Sequence, residues 1–358
     1  MPRRPRLLRG KTFDRRRFLQ RSVTVAATLP AFGRAGLAQA GQVNVYNWDT
    51  YIGETTLQDF TEATGIALRY DLYASNDELF AKLREGNPGY DVIFPSNDYV
   101  ERMIVADMLL PLDHTRIENV SNIDPAFADP AFDPGLRHSM PYFWGTVGIG
   151  YRISAGSPGA WADLYEGEAY AGRMSLLNSI DSIQTTLKYL GHSLNTRDPA
   201  EIRAAADLLI RVKPGIKTFA PDTGQDLLIA GEVDACMEYN GDILQVMAED
   251  EDLSFVVPAE GTLLWEDNMC IPRGGPNPDN AHAFIDYILE PEVHGAIAEY
   301  VQYACPNAAA LDHIPRADRQ NPALYPPRAV LERCEVSVYK GEEVESLYQD
   351  ALTRVLAA

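Results

Sequence analysis

Apolar residues recur at two alternating periods along the chain. Positions 43–46, Val-Asn-Val-Tyr, read as a strand, Leu57 and Phe60 fit a short helix that Gly65 stops, and positions 66–72 read as the next strand. Ser75 followed three residues later by Glu78 predicts a capping box, in which the serine side chain takes an orphan amide while the glutamate reaches back. The helix it opens buries Leu79 and Leu83 and ends at Gly86, before a buried strand at 90–95 that Pro95 cuts. Strand, helix, strand, helix, strand in that order implies a parallel sheet with helices on both faces.

A second set follows Tyr142-Phe143-Trp144-Gly145. Strands are predicted at 173–177, 217–219, 233–239 and 253–257, separated by helical patterns near 181–190, 200–212, 224–230 and 242–249. A further strand near 265–271 precedes a helix over 278–289, and the amphipathic segment 342–356 is expected to dock on a lobe as the last helix. Two α/β lobes with the chain crossing between them set the carboxyl ends of two sheets across a cleft, which is where ligands of such folds bind.

Charge changes the picture more than composition does. The 358 residues are 46% hydrophobic, a globular balance, and the length suits two lobes. The formal charge of −20 argues against a nucleic-acid ligand, which needs clustered Lys and Arg. That charge is split. Residues 1–40 hold ten Lys and Arg against one acid, Asp14, whereas the remainder holds 21 bases and 50 acids. Asp-Arg-Arg-Arg-Phe-Leu-Gln at 14–20, a weakly apolar run and Ala38-Gln39-Ala40 resemble a twin-arginine export signal cut after Ala40. The first cysteine is Cys236, far from the cut, so a free periplasmic product is expected rather than a lipid-anchored one. Four buried thiols and two disulfides fit the four cysteines equally well.

The predicted strand ends share one chemistry. Asn47-Trp48-Asp49-Thr50-Tyr51 follows the first strand and Ser96-Asn97-Asp98-Tyr99 the third. Asn178 and Asp181, then Tyr239-Asn240-Gly241-Asp242, follow strands of the second lobe. Trp265-Glu266-Asp267 lies on the returning segment, with Tyr303 and Glu335 later. An aromatic face beside a carboxylate holds a desolvated organic ammonium. The ring attracts the cation by about 0.5–2 kcal/mol, and the carboxylate adds a charge-assisted hydrogen bond. Several such pairs along one cleft suit a flexible chain charged at both ends.

Val45-Tyr46-Asn47-Trp48, Phe60-Thr61-Glu62-Ala63-Thr64-Gly65, Tyr90-Asp91-Val92-Ile93-Phe94-Pro95-Ser96, Pro141-Tyr142-Phe143-Trp144-Gly145 and Cys305-Pro306-Asn307 resemble, in the same order, the spermidine/putrescine-binding periplasmic proteins of polyamine ABC importers. The resemblance spans essentially all of the chain beyond the signal. It implies the α/β two-lobe periplasmic solute-binding fold of type II, each lobe a mainly parallel sheet flanked by helices, with a hinged cleft. The lobes are expected at 41–145 with 267–311, and at 146–266 with 312–358. It implies a monomer that passes its ligand to an inner-membrane permease, with no cofactor.

By position, Trp48, Tyr51, Tyr239, Trp265 and Tyr303 match the family's aromatic box; Asp181, Asp242 and Asp267 match its ammonium-holding acids; and Ser96 matches a polar wall residue. Glu335 falls near a polar ligand contact. Asp49 and Asp98 stand where a hydroxyl or aromatic residue is usual, Asn178 where an acid is usual, and Tyr239 where Trp is usual. Acid is thereby redistributed, and putrescine, spermidine or another cationic amine all stay open. The same mapping brings Cys305 and Cys334 beside Tyr303 and Glu335, so a disulfide between them is expected.

Other classes fit less well. The histidines are scattered, and neither a G-x-S-x-G elbow nor a G-x-G-x-x-G turn occurs, so no enzyme is expected. A receptor for a hard cation such as iron would use the carboxylates and Tyr but leave Trp48 and Trp265 without a role. An anionic solute is disfavoured by the acidic body.

Overall fold

Strand β1 (Gln42–Trp48) is the inner member of a parallel trio with β2 (Ala67–Tyr73) and β3 (Val92–Ile93). The computed structural model describes residues 41–358, so the twin-arginine segment lies outside the described residues. The later strands are β4 (Ser139–Arg152), β5 (Met174–Leu177), β6 (Ile216–Ala220), β7 (Ala235–Tyr239), β8 (Leu253–Val256), β9 (Leu263–Cys270) and β10 (Glu335–Val336). The helices used below are α1 (Thr56–Thr64), α2 (Asn76–Arg84), α3 (Asn97–Val105), α4 (Trp161–Tyr165), α5 (Asp181–Tyr189), α6 (Pro199–Val212), α7 (Gly224–Ile229), α8 (Asn240–Met247), α9 (Pro278–Ile288), α10 (Pro291–Val301), α11 (Arg316–Arg319), α12 (Arg328–Leu331) and α13 (Glu342–Ala357).

Local signals act as their chemistry requires. Gly65 ends α1 in the left-handed region (φ 73°), its N–H donating to the Thr61 carbonyl. Ser75 Oγ accepts from the Glu78 amide at 3.1 Å, as the capping box requires. The reciprocal half is shifted by one residue: Glu78 Oε2 accepts from the Ala74 amide at 3.0 Å.

The strands run in the order β2-β1-β3-β9-β4-β7-β5-β6, with β10 added to β9 and β8 to β4. One parallel set is β2-β1-β3 and another is β7-β5-β6. Between them β4 and β9 pair antiparallel from Ser139↔Cys270 to Thr146↔Leu264, and the second half of β4 pairs with β7 and β8. Each lobe thus has its own sheet, and β4 belongs to both. Sequence patterning missed β4 as a strand because it is buried almost throughout, which erases the alternation that marks a half-exposed strand.

Glycine lets this crossing close. A Cβ on Gly145 would lie 2.4 Å from Asn240 Oδ1 and 2.5 Å from the Trp265 ring, its cross-strand partner. Among the described residues no helix is long and apolar enough to cross a membrane. Gly145→Ala is expected to cost about 1–3 kcal/mol in a denaturant titration through overpacking. Gly159→Ala, whose Cβ would meet nothing within 4 Å, serves as the control and should change stability by less than about 0.5 kcal/mol. Equal effects from the two would contradict the packing argument.

Candidate functional site

The ends of the strands converge on a cavity of about 350 Å³. From the end of β1 comes Trp48 and from the turn after it Asp49, Thr50 and Tyr51; from the β3–α3 junction Ser96 and Asp98; from the β5–α5 junction Asn178 and Asp181. The β7–α8 junction gives Tyr239 and Asp242, β9 gives Trp265 and Asp267, and the segment after α10 gives Tyr303. Trp265 and Asp267 reach the same cavity because residues two apart on a strand share a face. Each of the sequence-predicted site residues except Glu335 therefore lines one hollow.

Glu335 does not. Its strand β10 pairs with β9 at Leu263, and its carboxylate meets Lys188 Nζ at 2.7 Å while accepting from Ser193 Oγ at 2.5 Å. The Cys305–Cys334 disulfide is not formed, and all four cysteines are free. The expected bridge required Glu335 and Tyr303 to share the cleft. Instead Cys334 follows α12, its thiol donating to the Val330 carbonyl at 3.4 Å, while Cys305 is buried beyond the Trp144–Ala304 bridge.

The rings form a wall. Tyr51 meets Tyr303 edge-on at 5.4 Å, Trp265 meets Tyr303 at 5.0 Å, and Tyr239 meets Trp265 at 6.1 Å between centroids. Trp48 leans on Tyr73 at 4.6 Å, and its Nε1 donates to the Phe94 carbonyl at 2.9 Å.

The acids are oriented by neutral donors. Tyr239 Oη donates to Asp181 at 2.7 Å, Tyr303 Oη to Asp242 at 2.6 Å, and Ser96 Oγ to Asp267 at 2.6 Å. Burial pushes the Asp267 carboxyl up to about 7 despite the Ser96 hydroxyl, and pushes Asp98 up to about 6 against the pull of Lys340. Burial also raises Asp181. Among the described residues no Lys or Arg lines the cavity.

Sequence reasoning missed Asp222. It follows β6 in the same way that the other acids follow their strands, so the strand-end rule applied to 217–219 would have found it. Its carboxyl lies with those of Glu238 and Asp242, ligand atoms all within 4.8 Å of one another. Burial and then repulsion from Asp222 push Glu238 and Asp242 well above the carboxylate range, while desolvation in the cleft pushes Asp222 up to about 6 although a hydrogen bond with Glu238 opposes it. Asp222 (φ 25°) and Thr50 (φ 51°) hold left-handed backbone at the cavity, where strain is often stored. Asn76, Asp77, Ser337, Gln349 and Leu352 also line it. The last three come from the tail, where no local pattern marks a site.

A two-sheet α/β fold joined by crossing strands, with one ring-walled hollow at the strand ends, defines a solute receptor. The chain belongs to the bacterial extracellular solute-binding protein family, whose profile matches residues 55–324. It is 32% identical over 355 residues to the putrescine-binding periplasmic protein SpuD of Pseudomonas aeruginosa, covering 92% of this chain and 96% of that one. It is 34% identical over 317 residues to the spermidine/putrescine-binding periplasmic protein of Escherichia coli, covering 87% and 90%. A solved putative spermidine/putrescine ABC transporter from Listeria monocytogenes superposes with a TM-score of 0.83 at 32% identity, covering 88% of this chain and 98% of that one.

The raised carboxyls fix a pH response of the unliganded protein. A carboxyl whose folded value exceeds its unfolded one binds more protons when folded, so its stabilisation is present at low pH and lost as pH rises through the folded value. With Asp267 at about 7 and Glu266, also buried on β9, at about 8, the Tm is expected to rise when the pH is lowered from about 8 to about 6. Differential scanning calorimetry of the parent and of an Asp267→Asn/Glu266→Gln double variant, whose profile should be flatter, tests this. A parent Tm that falls over that interval contradicts it.

Proposed function

We propose that this protein captures a polyamine of the putrescine or spermidine type in its aromatic-acidic cleft and delivers it to an inner-membrane ABC permease. The observation that carries the reading is the pairing of a ring wall with carboxylates and no cation in the cavity lining among the described residues. Rings cover methylenes, worth about 0.8 kcal/mol each, while the acids hold the terminal ammonium groups. Relatives named for putrescine and spermidine binding support the same ligand class.

The working cycle follows from the charges. The acidic body raises the local concentration of a polycation and speeds encounter. Closure of the lobes, which we assign to 41–145 with 267–311 and to 146–266 with 312–358, dries the cleft and strengthens each contact. The ligand thus shifts an open–closed population that the permease reads. We further propose export through the twin-arginine segment, release as a monomer without a lipid anchor, and no catalytic role.

Titration calorimetry with putrescine, cadaverine, spermidine, choline and divalent metals tests the reading. Asp267→Asn strands one ammonium in a buried place and is expected to weaken amine binding by about 2–4 kcal/mol. Trp48→Ala and Trp265→Ala should each weaken it by about 0.5–2 kcal/mol of ring contact. Binding of a divalent metal instead, at the Asp222–Glu238–Asp242 carboxylates, with no response to amines, overturns it.

A further inference from the structure

Helix α13 is held from two sides. On one side it rides on the elements around the second sheet. Tyr348 Oη donates to the Leu194 and Thr196 carbonyls, each at 2.9 Å, Arg354 pairs with Asp207 of α6, and Lys213 Nζ, just past α6, donates to the Val355 and Leu356 carbonyls at 2.8 Å. On the other side it reaches the helices of the first sheet. Arg102 of α3 donates to Glu342, in the first turn of α13, through Nε at 2.8 Å and Nη2 at 2.9 Å. Further along, Gln349 Nε2 donates to Asp77 of α2 at 3.2 Å. The segment leading into α13 repeats the pattern. Ser337 Oγ accepts from Gln184 of α5 at 2.9 Å and donates to Asp98 of α3 at 3.4 Å, and the Tyr339 N–H donates to Glu101 of α3 at 3.1 Å.

The Arg102–Glu342 pair is built so that it can both form and part. The Arg102 side chain is 15% exposed, and its guanidinium carbon lies 4.0 Å from the centre of the Phe80 ring and 5.5 Å from that of Tyr99, so the fork is held in place from its own side before Glu342 arrives. Asp77, fixed by Tyr99 Oη at 2.5 Å, lies 3.9 Å from Arg102 Nη1, so the cation keeps a partner when Glu342 leaves. The Glu342 side chain is 64% exposed and returns to water at little cost. Tyr339 Oη, on the tail, donates to the same carboxylate at 3.0 Å. Asp77 and Gln349 line the cavity, whereas Arg102 and Glu342 do not. The ion pair therefore joins the two halves without touching what the cavity holds.

We propose that α13 is a latch: Arg102–Glu342 and Asp77–Gln349 join the lobes along one side of the cleft and keep the closed form populated before any ligand arrives. The inference rests on the capture cycle and the lobe division assigned above, and adds the element that sets the resting point of that cycle. A ligand that binds only the closed form has its affinity reduced by the fraction of protein that is closed. The latch therefore strengthens capture of every amine by the same factor and adds no choice among them. A bidentate fork exceeds an ordinary surface pair in strength, yet a half-exposed one still lets the unliganded lobes part.

Small-angle X-ray scattering and titration calorimetry on the full chain, with putrescine and spermidine as probes, decide it. Without amine, Glu342→Gln should show a larger radius of gyration than the parent, and saturating putrescine should bring the two together. The variant should bind putrescine and spermidine each about threefold to tenfold more weakly than the parent, with the ratio between the amines unchanged. Arg102→Gln should behave alike, and the Arg102→Gln/Glu342→Gln double variant should lose no more than either single one, because all three break one contact. A Glu342→Gln protein with the parent's unliganded radius, or a loss that differs between the amines, overturns the latch while leaving amine capture intact. So does a parent that contracts on putrescine as far as the variant does. A parent that binds neither amine removes the polyamine reading, and the unliganded radii then decide the latch by themselves.

Discussion

Burying several carboxylates in one hollow whose lining, among the described residues, holds no Lys or Arg is the constraint on which the rest of the molecule turns. Taking a carboxylate out of water costs several kcal/mol unless positive charge or hydrogen bonds replace the solvent. Here hydrogen bonds replace part of it, from Tyr239, Tyr303 and Ser96, and the remainder appears as carboxyls pushed toward their protonated forms. A fold stable enough to hold groups so far from their preferred state needs a rigid frame around them. The two parallel sheets, the crossing pair β4–β9 and the tail provide it.

The crossing pair has two functions at once. It joins the sheets, and through the alternation of β9 it delivers a ring and an acid, Trp265 and Asp267, to the same face. Ser96 bridges to Asp267 across the β3 end, so the acid is tied to the first sheet as well as carried by the strand that leaves it. Gly145 opposite Trp265, and Gly241 with its missing Cβ 2.4 Å from the Tyr303 ring, show how closely backbone must approach the aromatic wall. The wall is therefore set by backbone spacing, not by side-chain choice alone.

Much of this was legible along the chain. Alternating periods gave the two sets of strands and helices, and the habit of placing acids just beyond strands pointed to the residues that line the cavity. Three parts were not legible, for physical reasons. Strand β4 is buried on both faces and so carries no alternation. The tail contributes through long-range contacts, Ser337 to Asp98 and Gln349 to Asp77, which no local period encodes. Glu335 was placed by its match to a polar ligand contact of the resembled family, but a parallel strand pair turned it toward Lys188, and the disulfide inferred from it fell with it. Asp222 differs from these, because the rule that finds it was at hand and its strand end was left unread.

Hydrogen bonds from neutral donors and ion pairs from cations do different things in such a site. A tyrosine hydroxyl at 2.6 Å fixes where the Asp242 carboxylate points, and so lowers the entropy a ligand must supply on arrival, but it removes no charge. A cation removes charge and, being mobile, orients nothing until it is itself held. The cavity separates the two duties: its rings and hydroxyls are in place beforehand, whereas Asp267 and the Asp222–Asp242 group keep an electrostatic deficit. Preorganised shape with unfinished charge gives an arriving polycation the largest gain for the least rearrangement. The same two features disfavour a neutral solute, which would leave the acids buried and unpaired.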